Sequence, residues 1–142
     1  MLKRFRNQRG AALLETAITL PLVLLVTVAV FEFGRAYQTW QVITNAAREG
    51  ARVSVLPDST NANVTDAVRN YLKGGKLLKW DTATVTLERA VPFGTNTASR
   101  ITVVYGFDFT VLNPVAKLVQ SGSTAGQGTT NMSSSALMRN ES

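Results

Sequence analysis

Hydrophobic residues fill a run of 21 positions from Ala11 to Phe31, in which Glu15 is the only charged residue. At about 1.5 Å of rise per residue, a helix of this length spans the roughly 30 Å hydrocarbon core of a bilayer. The run therefore predicts one membrane-spanning helix over residues 11–31. Pro21 predicts a bend in this helix rather than a break, because neighbouring hydroxyl groups can satisfy the freed backbone.

A helical pattern continues beyond the membrane segment over residues 32–56, where apolar and small residues recur in steps of three and four. Pro57 marks its end. Tyr37 and Trp40 are expected to cover the apolar face of a small sheet. The predicted stripe consists of Phe33, Tyr37, Trp40, Thr44, Ala47 and Ala51.

Residues 57–142 predict a small domain that begins with a short amphipathic helix from about Val64 to Leu72, capped by Asn63 and ended by Gly74. Alternating apolar residues then predict three strands, with "PFGTNTAS" as the connection between the first two. The fold class is therefore α+β, in which the long helix packs on a small antiparallel sheet. The predicted strands are "TATVTLERA", "RITVVYGFDF" and Met132 to Arg139.

Basic residues without any acid occupy the leader, residues 1–10, whereas Glu32 and Arg35 cancel on the other flank of the apolar run. The positive-inside rule therefore places the N-terminus in the cytoplasm and residues 36–142 outside the cytoplasmic membrane. The leader supplies four of the six net positive charges, which argues against a nucleic-acid partner. Its basic residues are Lys3, Arg4, Arg6 and Arg9.

Catalytic chemistry has little support, since the chain contains neither cysteine nor histidine. Thiolate metal ligands and the commonest general base are thereby excluded. The glycines and lysines of "KGGK" at 73–76 lack the spacing and the hydroxyl residue of a phosphate-binding loop. We expect no enzymatic activity, no catalytic residue, no metal site and no cofactor.

Glu15 lies five residues after Gly10, and this spacing separates three interpretations of the apolar run. A cleavable secretory signal needs a shorter apolar stretch, of about 7 to 15 residues, before its cleavage site. An uncleaved anchor explains length and orientation but gives Glu15 no partner. Cleavage after Gly10 would create an α-amino group on Ala11, one helical turn from the Glu15 carboxylate and able to compensate it.

The combination of a basic leader, Gly10, Glu15 and a long apolar helix resembles the processing site of type IV pilins and pseudopilins. More narrowly, the chain resembles the TadE-like family of the tight-adherence (Flp) pilus system. The motifs that carry this likeness are "RGAALLETAITLPLVLLVTVAVFEFGRAYQTWQVITNAAREGAR", "RITVVYGFDFTVLNP" and "SSSALMRNE".

This resemblance implies a pilin-like fold and a minor pseudopilin that a prepilin peptidase processes between Gly10 and Ala11. It also implies other pilins or pseudopilins and the pilus assembly platform as partners. Residues near "NAAREGA" are candidate subunit contacts, although a solvated face with local ion pairs is the alternative. These candidates are Ala46, Ala47, Arg48, Gly50, Ala51 and Arg52.

A basic patch with interleaved aromatic residues supports a function of a different class. Charge combined with stacking surfaces is typical of polyanion binding, but lysines near a helix end are also ordinary solvated residues. The alternative function is therefore an uncleaved, single-span surface module that binds a polyanion or a cell surface. The patch consists of Arg69, Lys73, Lys76 and Lys79, with Tyr71 and Trp80 between them.

Overall fold

A computed structural model describes residues 8–111 and 129–140. Two helices, α1 and α2, precede a 3₁₀ turn and three strands, β1 to β3. The predicted α+β class is confirmed. The elements are α1 Gln8–Ser54, α2 Asn61–Gly74, the 3₁₀ turn Trp80–Thr82, β1 Thr84–Phe93, β2 Asn96–Phe107 and β3 Thr130–Arg139.

The 47-residue helix α1 runs through Pro21 without a break. The hydroxyl of Thr19 donates to the carbonyl of Glu15 at 2.9 Å, as that of Thr16 does to Ala12. Both hydroxyls thus donate hydrogen bonds to backbone carbonyls one helical turn towards the N-terminus. By the rise of an α-helix, α1 is about 70 Å long.

Helix α2 begins earlier than the sequence suggested, because Thr60 and not Asn63 is its N-cap. The Thr60 hydroxyl accepts a hydrogen bond from the backbone N–H of Asn63 at 3.2 Å. The helix ends at Gly74, as expected, and buries Val64, Val68 and Leu72.

The three strands form an antiparallel sheet in the order β1-β2-β3. The predicted connection between the first two strands is wrong, because pairing continues to Phe93 opposite Asn96 and leaves a two-residue turn. Gly94 opens this turn with φ +61°, a conformation that glycine adopts without strain. The register shifts once, between Glu88 and Val91, where β1 contains a bulge.

The core lies where α1 and α2 cover one face of the sheet, and among the strands β2 contributes the most buried residues. Alternate residues of β2 point into this core, as their spacing predicted. The fully buried large side chains are Ile43, Val64, Val68, Leu72, Ile101 and Val103.

The face of α1 that covers the sheet is rotated from the predicted one. Trp40 is 45% exposed and Tyr37 is also exposed, so the expectation that they cover the sheet is wrong. Ile43, with 0% exposure, takes that place. The buried stripe keeps steps of three and four but lies about one position away on the helix, and its members are Glu32, Ala36, Thr39, Ile43, Ala46, Ala47, Gly50, Ala51 and Ser54.

Gly50 is the point of closest approach among α1, α2 and β2. A Cβ atom placed on it would lie 2.6 Å from Cγ2 of Val68 and 3.2 Å from Cγ2 of Ile101. Both of these side chains are fully buried and cannot easily move away. The same point on α1 therefore has to lack a side chain for the two layers to meet.

We predict that Ile43→Ala lowers the free energy of unfolding of the external domain by about 2 to 5 kcal/mol, because it empties a buried site. Trp40→Ala should lower it by less than about 1 kcal/mol, because its side chain is half in solvent. Thermal unfolding of the full chain in detergent, followed by near-ultraviolet circular dichroism, measures both. A larger loss for Trp40→Ala would contradict the described face.

We also predict that Gly50→Leu lowers the unfolding temperature by roughly 8 to 16 °C, corresponding to about 2 kcal/mol of overpacking in a domain of this size. Gly34→Leu is the matched control on the same helix, since nothing lies within 4 Å of a Cβ atom at Gly34. Equal shifts for the two variants would show that helix composition, and not the contact at Gly50, sets the effect.

Candidate functional site

The candidate processing site lies in the first turns of α1. Gly10 and Ala11 are in helical conformation and exposed, so no part of the described chain covers the bond between them. Lys3, Arg4 and Arg6 lie outside the described residues, and only the backbone of Arg9 is described. The site is thus presented at one end of the helix, far from the external domain.

Glu15 is exposed one helical turn after Ala11, on the same face of α1. None of the ion pairs within residues 8–111 and 129–140 involves it. A carboxylate in this position is therefore free to pair with a group that cleavage or assembly would supply, such as a new α-amine on Ala11 or a group on a neighbouring chain.

Within residues 8–111 and 129–140, no part of the chain packs around the most apolar segment of α1. Helix residues from Gly10 onward are long and apolar enough to cross a membrane, and none of the most apolar window is buried in the chain. Most leucines along this segment expose more than half of their surface, among them Leu13, Leu14 and Leu22. Exposure of this extent fits a lipid-facing helix and not a core helix of a water-soluble domain.

Immediately beyond the apolar run, Glu32 joins the helix to the end of the sheet. Glu32 is 4% exposed, and its Oε2 accepts a hydrogen bond from the backbone N–H of Thr110 at 2.7 Å. Its Oε1 accepts from Nη1 of Arg35 at 2.7 Å, and the same nitrogen donates to the Thr110 hydroxyl at 2.9 Å. The network fixes the start of the loop after β2, residues 108–111, at the level where α1 leaves its apolar segment.

A second cluster clamps the far end of α1. The guanidinium of Arg89 donates to the backbone carbonyls of Ser54 at 2.9 Å and Ser59 at 2.8 Å. Arg89 lies in the β1 bulge beside Ala90, whose φ is +58°. The bulge thus directs a cation at the carbonyl end of α1, where the helix dipole favours positive charge.

The small residues proposed as subunit contacts are occupied within the chain itself. Ala46, Ala47, Gly50 and Ala51 are buried in the core, which gives close packing of α1 against its own domain as their role. Arg52 forms a bidentate ion pair with Glu49, at 2.6 and 2.9 Å, and this bonding holds the pKa of the Glu49 carboxyl below its ordinary value. Arg48 is exposed and its role in subunit contact stays a prediction.

The four cations of the basic patch differ in their local contacts. Lys79 forms an ion pair with Asp108, and Lys73 Nζ lies 5.4 Å from the centroid of the Trp80 ring. Arg69 is exposed one turn before Lys73 on α2. Lys76 borders a groove of about 350 Å³ between the loop after α2, α1 and the end of β2.

No local pattern in the sequence predicts the contacts made by Glu32, Arg89 or Asp108. The sequence predicts only that the charges of Glu32 and Arg35 cancel. A signal for Glu32 was nevertheless present, since it lies four and seven residues before Ala36 and Thr39 on the buried stripe. Arg89 and Asp108 meet partners that are distant in the sequence.

A family model described as TadE-like protein matches residues 10–52 of the chain. The match begins at Gly10 and ends at Arg52, so it contains the candidate processing bond, the apolar segment and the small residues at the core. The resemblance is confirmed for this part of the chain, whereas the likeness of the second strand and the C-terminal tail stays a prediction. No curated protein and no solved structure matches the chain.

We predict that the Asp108 carboxyl titrates below its ordinary pKa of 3.8, because Lys79 and then Thr129 donate hydrogen bonds to its charged form, and that the pKa of Lys79 lies above 10.5. The Asp108 contribution to stability is then present above its unfolded pKa and lost as the pH falls through the lowered value. The Lys79 contribution is present below pH 10.5 and lost as the pH rises through the raised value.

Carboxyl carbon chemical shifts of Asp108, measured against pH in detergent micelles, check this prediction. Lys79→Met should move the Asp108 midpoint back towards its ordinary value. Arg100→Met, which breaks the exposed pair with Glu88, is the control and should leave that midpoint unchanged. If Lys79→Met leaves the midpoint of the Asp108 titration unchanged, the ion pair does not form in solution.

Proposed function

We propose, on the premise that residues 10–52 are TadE-like, that the chain is a minor pseudopilin of a tight-adherence pilus, acting as a structural or assembly component and not as an enzyme. It is held in the cytoplasmic membrane by residues 11–31, with the leader inside and the external domain outside. A prepilin peptidase cuts after Gly10. Other pilins or pseudopilins and the pilus assembly platform are its partners.

The observation that carries this proposal is the uncovered start of α1. Gly10, Ala11 and Glu15 are exposed on a helix whose most apolar segment is not covered by the described part of the external domain. The family match begins at the same glycine. A membrane protease and neighbouring apolar helices therefore have access to this segment while the external domain stays folded.

Glu15 gives the processing step a physical consequence. A charged residue within an apolar helix costs roughly 2.5 to 3.5 kcal/mol at the bilayer centre and less near the interface. Cleavage after Gly10 supplies an ammonium group one turn away, within the same chain or on an adjacent one. Charge pairing between subunits would then be available only to processed chains, which ties assembly to proteolysis.

The alternative, an uncleaved single-span surface module that binds a polyanion or a cell surface, has weaker support. Lys79 is already paired with Asp108, so the four cations of the patch do not present a single free surface. The alternative also leaves the exposed Glu15 without a role. Intact mass of the native protein separates the two functions, since only the pseudopilin loses its first ten residues.

We predict that Glu15→Gln leaves membrane insertion and orientation intact but impairs pilus assembly, because the apolar length and the leader are unchanged while the charge pair is lost. Gly10→Phe should block cleavage and leave a full-length membrane protein. Each variant is expressed at native level, chain length is followed by intact mass, and fibres are sheared from the cells and counted.

The matched control is Glu88→Gln, which removes an exposed acid of β1 whose one ion pair within residues 8–111 and 129–140 is with Arg100. It should be cleaved and assembled as the native chain is, because exposed pairs contribute little to stability. Normal numbers of pili from both Glu15→Gln and Gly10→Phe would refute the pairing argument and leave a plain anchor as the function of α1.

A further inference from the structure

The membrane-proximal end of the external domain is defined by the contacts of Glu32 and Arg35. These residues follow the apolar run by one and four positions, so they lie roughly 2 and 6 Å beyond Phe31 along the helix axis. The hydrogen bonds from Thr110 and Arg35 to Glu32 hold the loop after β2 at this height. If α1 spans the bilayer, as the proposed function requires, this end of the domain faces the lipid headgroups.

A second loop reaches the same end. The loop of residues 75–80, termed the membrane-proximal loop here, shares the wall of one groove with Arg35, Gln38 and Thr39 of α1. Gly75 packs so closely against Val42 that a Cβ atom at position 75 would overlap with Cγ1 of Val42. The loop therefore descends along α1 from Val42 towards Arg35. The headgroup layer extends about 5 to 8 Å beyond the hydrocarbon on each side, which places the lower part of the loop against it.

Leu78 is an unusually exposed apolar residue in the membrane-proximal loop, since 90% of its surface is exposed. Its neighbour Leu77 is buried in the core, so the loop holds one leucine inside and presents the next one outward. A single apolar side chain at this height, on a backbone held by its neighbour, suits insertion into the interfacial layer of a bilayer.

Positive charge surrounds Leu78. From Lys73 to Asp81 the chain carries three lysines and one aspartate. Lys79 is paired with Asp108, whereas Lys73 and Lys76 have no carboxylate partner among the described residues. Lys73 instead lies over the Trp80 ring. Lysines beside an interfacial aromatic ring are the groups that contact phosphates of anionic lipids.

We propose that the membrane-proximal loop rests on the bilayer that α1 enters, with Leu78 in the interfacial layer and with Lys73 and Lys76 on the phosphates of anionic phospholipid headgroups. This inference rests on the membrane insertion of α1 and adds a second attachment to it. The domain is then held by the helix at one point and by the loop at another, which restricts its tilt over the membrane.

The test uses the full chain in lipid nanodiscs, because the absence of cysteine allows a single fluorescent label to be attached at a chosen position. Labels are placed through Leu78→Cys in the loop, Leu22→Cys in the apolar segment and Thr95→Cys in the β1–β2 turn. Thr95 belongs to the end of the domain near Ser54, roughly 28 Å farther from the membrane than Arg35. Quenching by lipids with a nitroxide on the headgroup reports contact with that layer.

We expect the Leu78 label to be quenched and the Thr95 label not, in nanodiscs that contain phosphatidylglycerol. Lys76→Gln, or Lys73→Gln, should shift the docking equilibrium about fivefold towards the free loop, as expected for one lysine at an anionic surface. Arg69→Gln is the matched control, because it removes a cation farther up α2. Raising the salt concentration to about 1 M should weaken docking, since the screening length falls to about 3 Å.

Four results would overturn this inference. If the Leu78 label is no more quenched than the Thr95 label, the lipid contact is refuted. If the Leu22 label is shielded from water in the same experiment, the membrane anchor and the proposed function stay intact. Equal quenching in phosphatidylcholine alone would refute the assignment to anionic headgroups. Shielding that depends on protein concentration would assign the loop to a second copy. A Leu22 label open to water would refute both the inference and the anchor.

Discussion

The fold depends on the absence of a side chain at one position of the long helix. At Gly50, α1 meets Val68 of α2 and Ile101 of β2 so closely that a Cβ atom would overlap with both. A three-stranded sheet with one apolar face has little stability of its own and requires a cover. The small residues around Gly50 let the helix approach closely enough to provide it, which makes the upper half of α1 a wall of the domain.

The architecture was predictable from the sequence, because each element has a strong local pattern of its own. The mostly apolar run of 21 residues, the alternation in β2 and Gly74 at the end of α2 indicated the helices and strands without tertiary information. The orientation of α1 about its axis was not predictable in the same way. Glu32 and Thr39 interrupt the buried stripe with polar groups, whereas Tyr37 and Trp40 make a neighbouring stripe look more apolar.

The same distinction between local patterns and tertiary contacts applies to the candidate site. Gly10 and Glu15 are five residues apart on one helix, so their relation can be derived from helical geometry alone. The bonds from Thr110 to Glu32, from Lys79 to Asp108 and from Arg89 to Ser54 join residues 78, 29 and 35 positions apart. Such pairs are decided by topology, and one sequence without its fold contains no local signal for them.

Helix α1 is continuous from Gln8 to Ser54, so its membrane-spanning part and the part that covers the sheet form one rigid element without a hinge. Any rotation of the helix about its axis within the membrane is transmitted to the domain one for one, and any tilt swings the domain as a lever. One residue added between the apolar run and Glu32 would turn the domain by about 100° and lift it by about 1.5 Å. The spacing between Glu15 and Glu32 thus fixes the rotational orientation of the external domain, about the axis of α1, relative to the Glu15 carboxylate in the membrane.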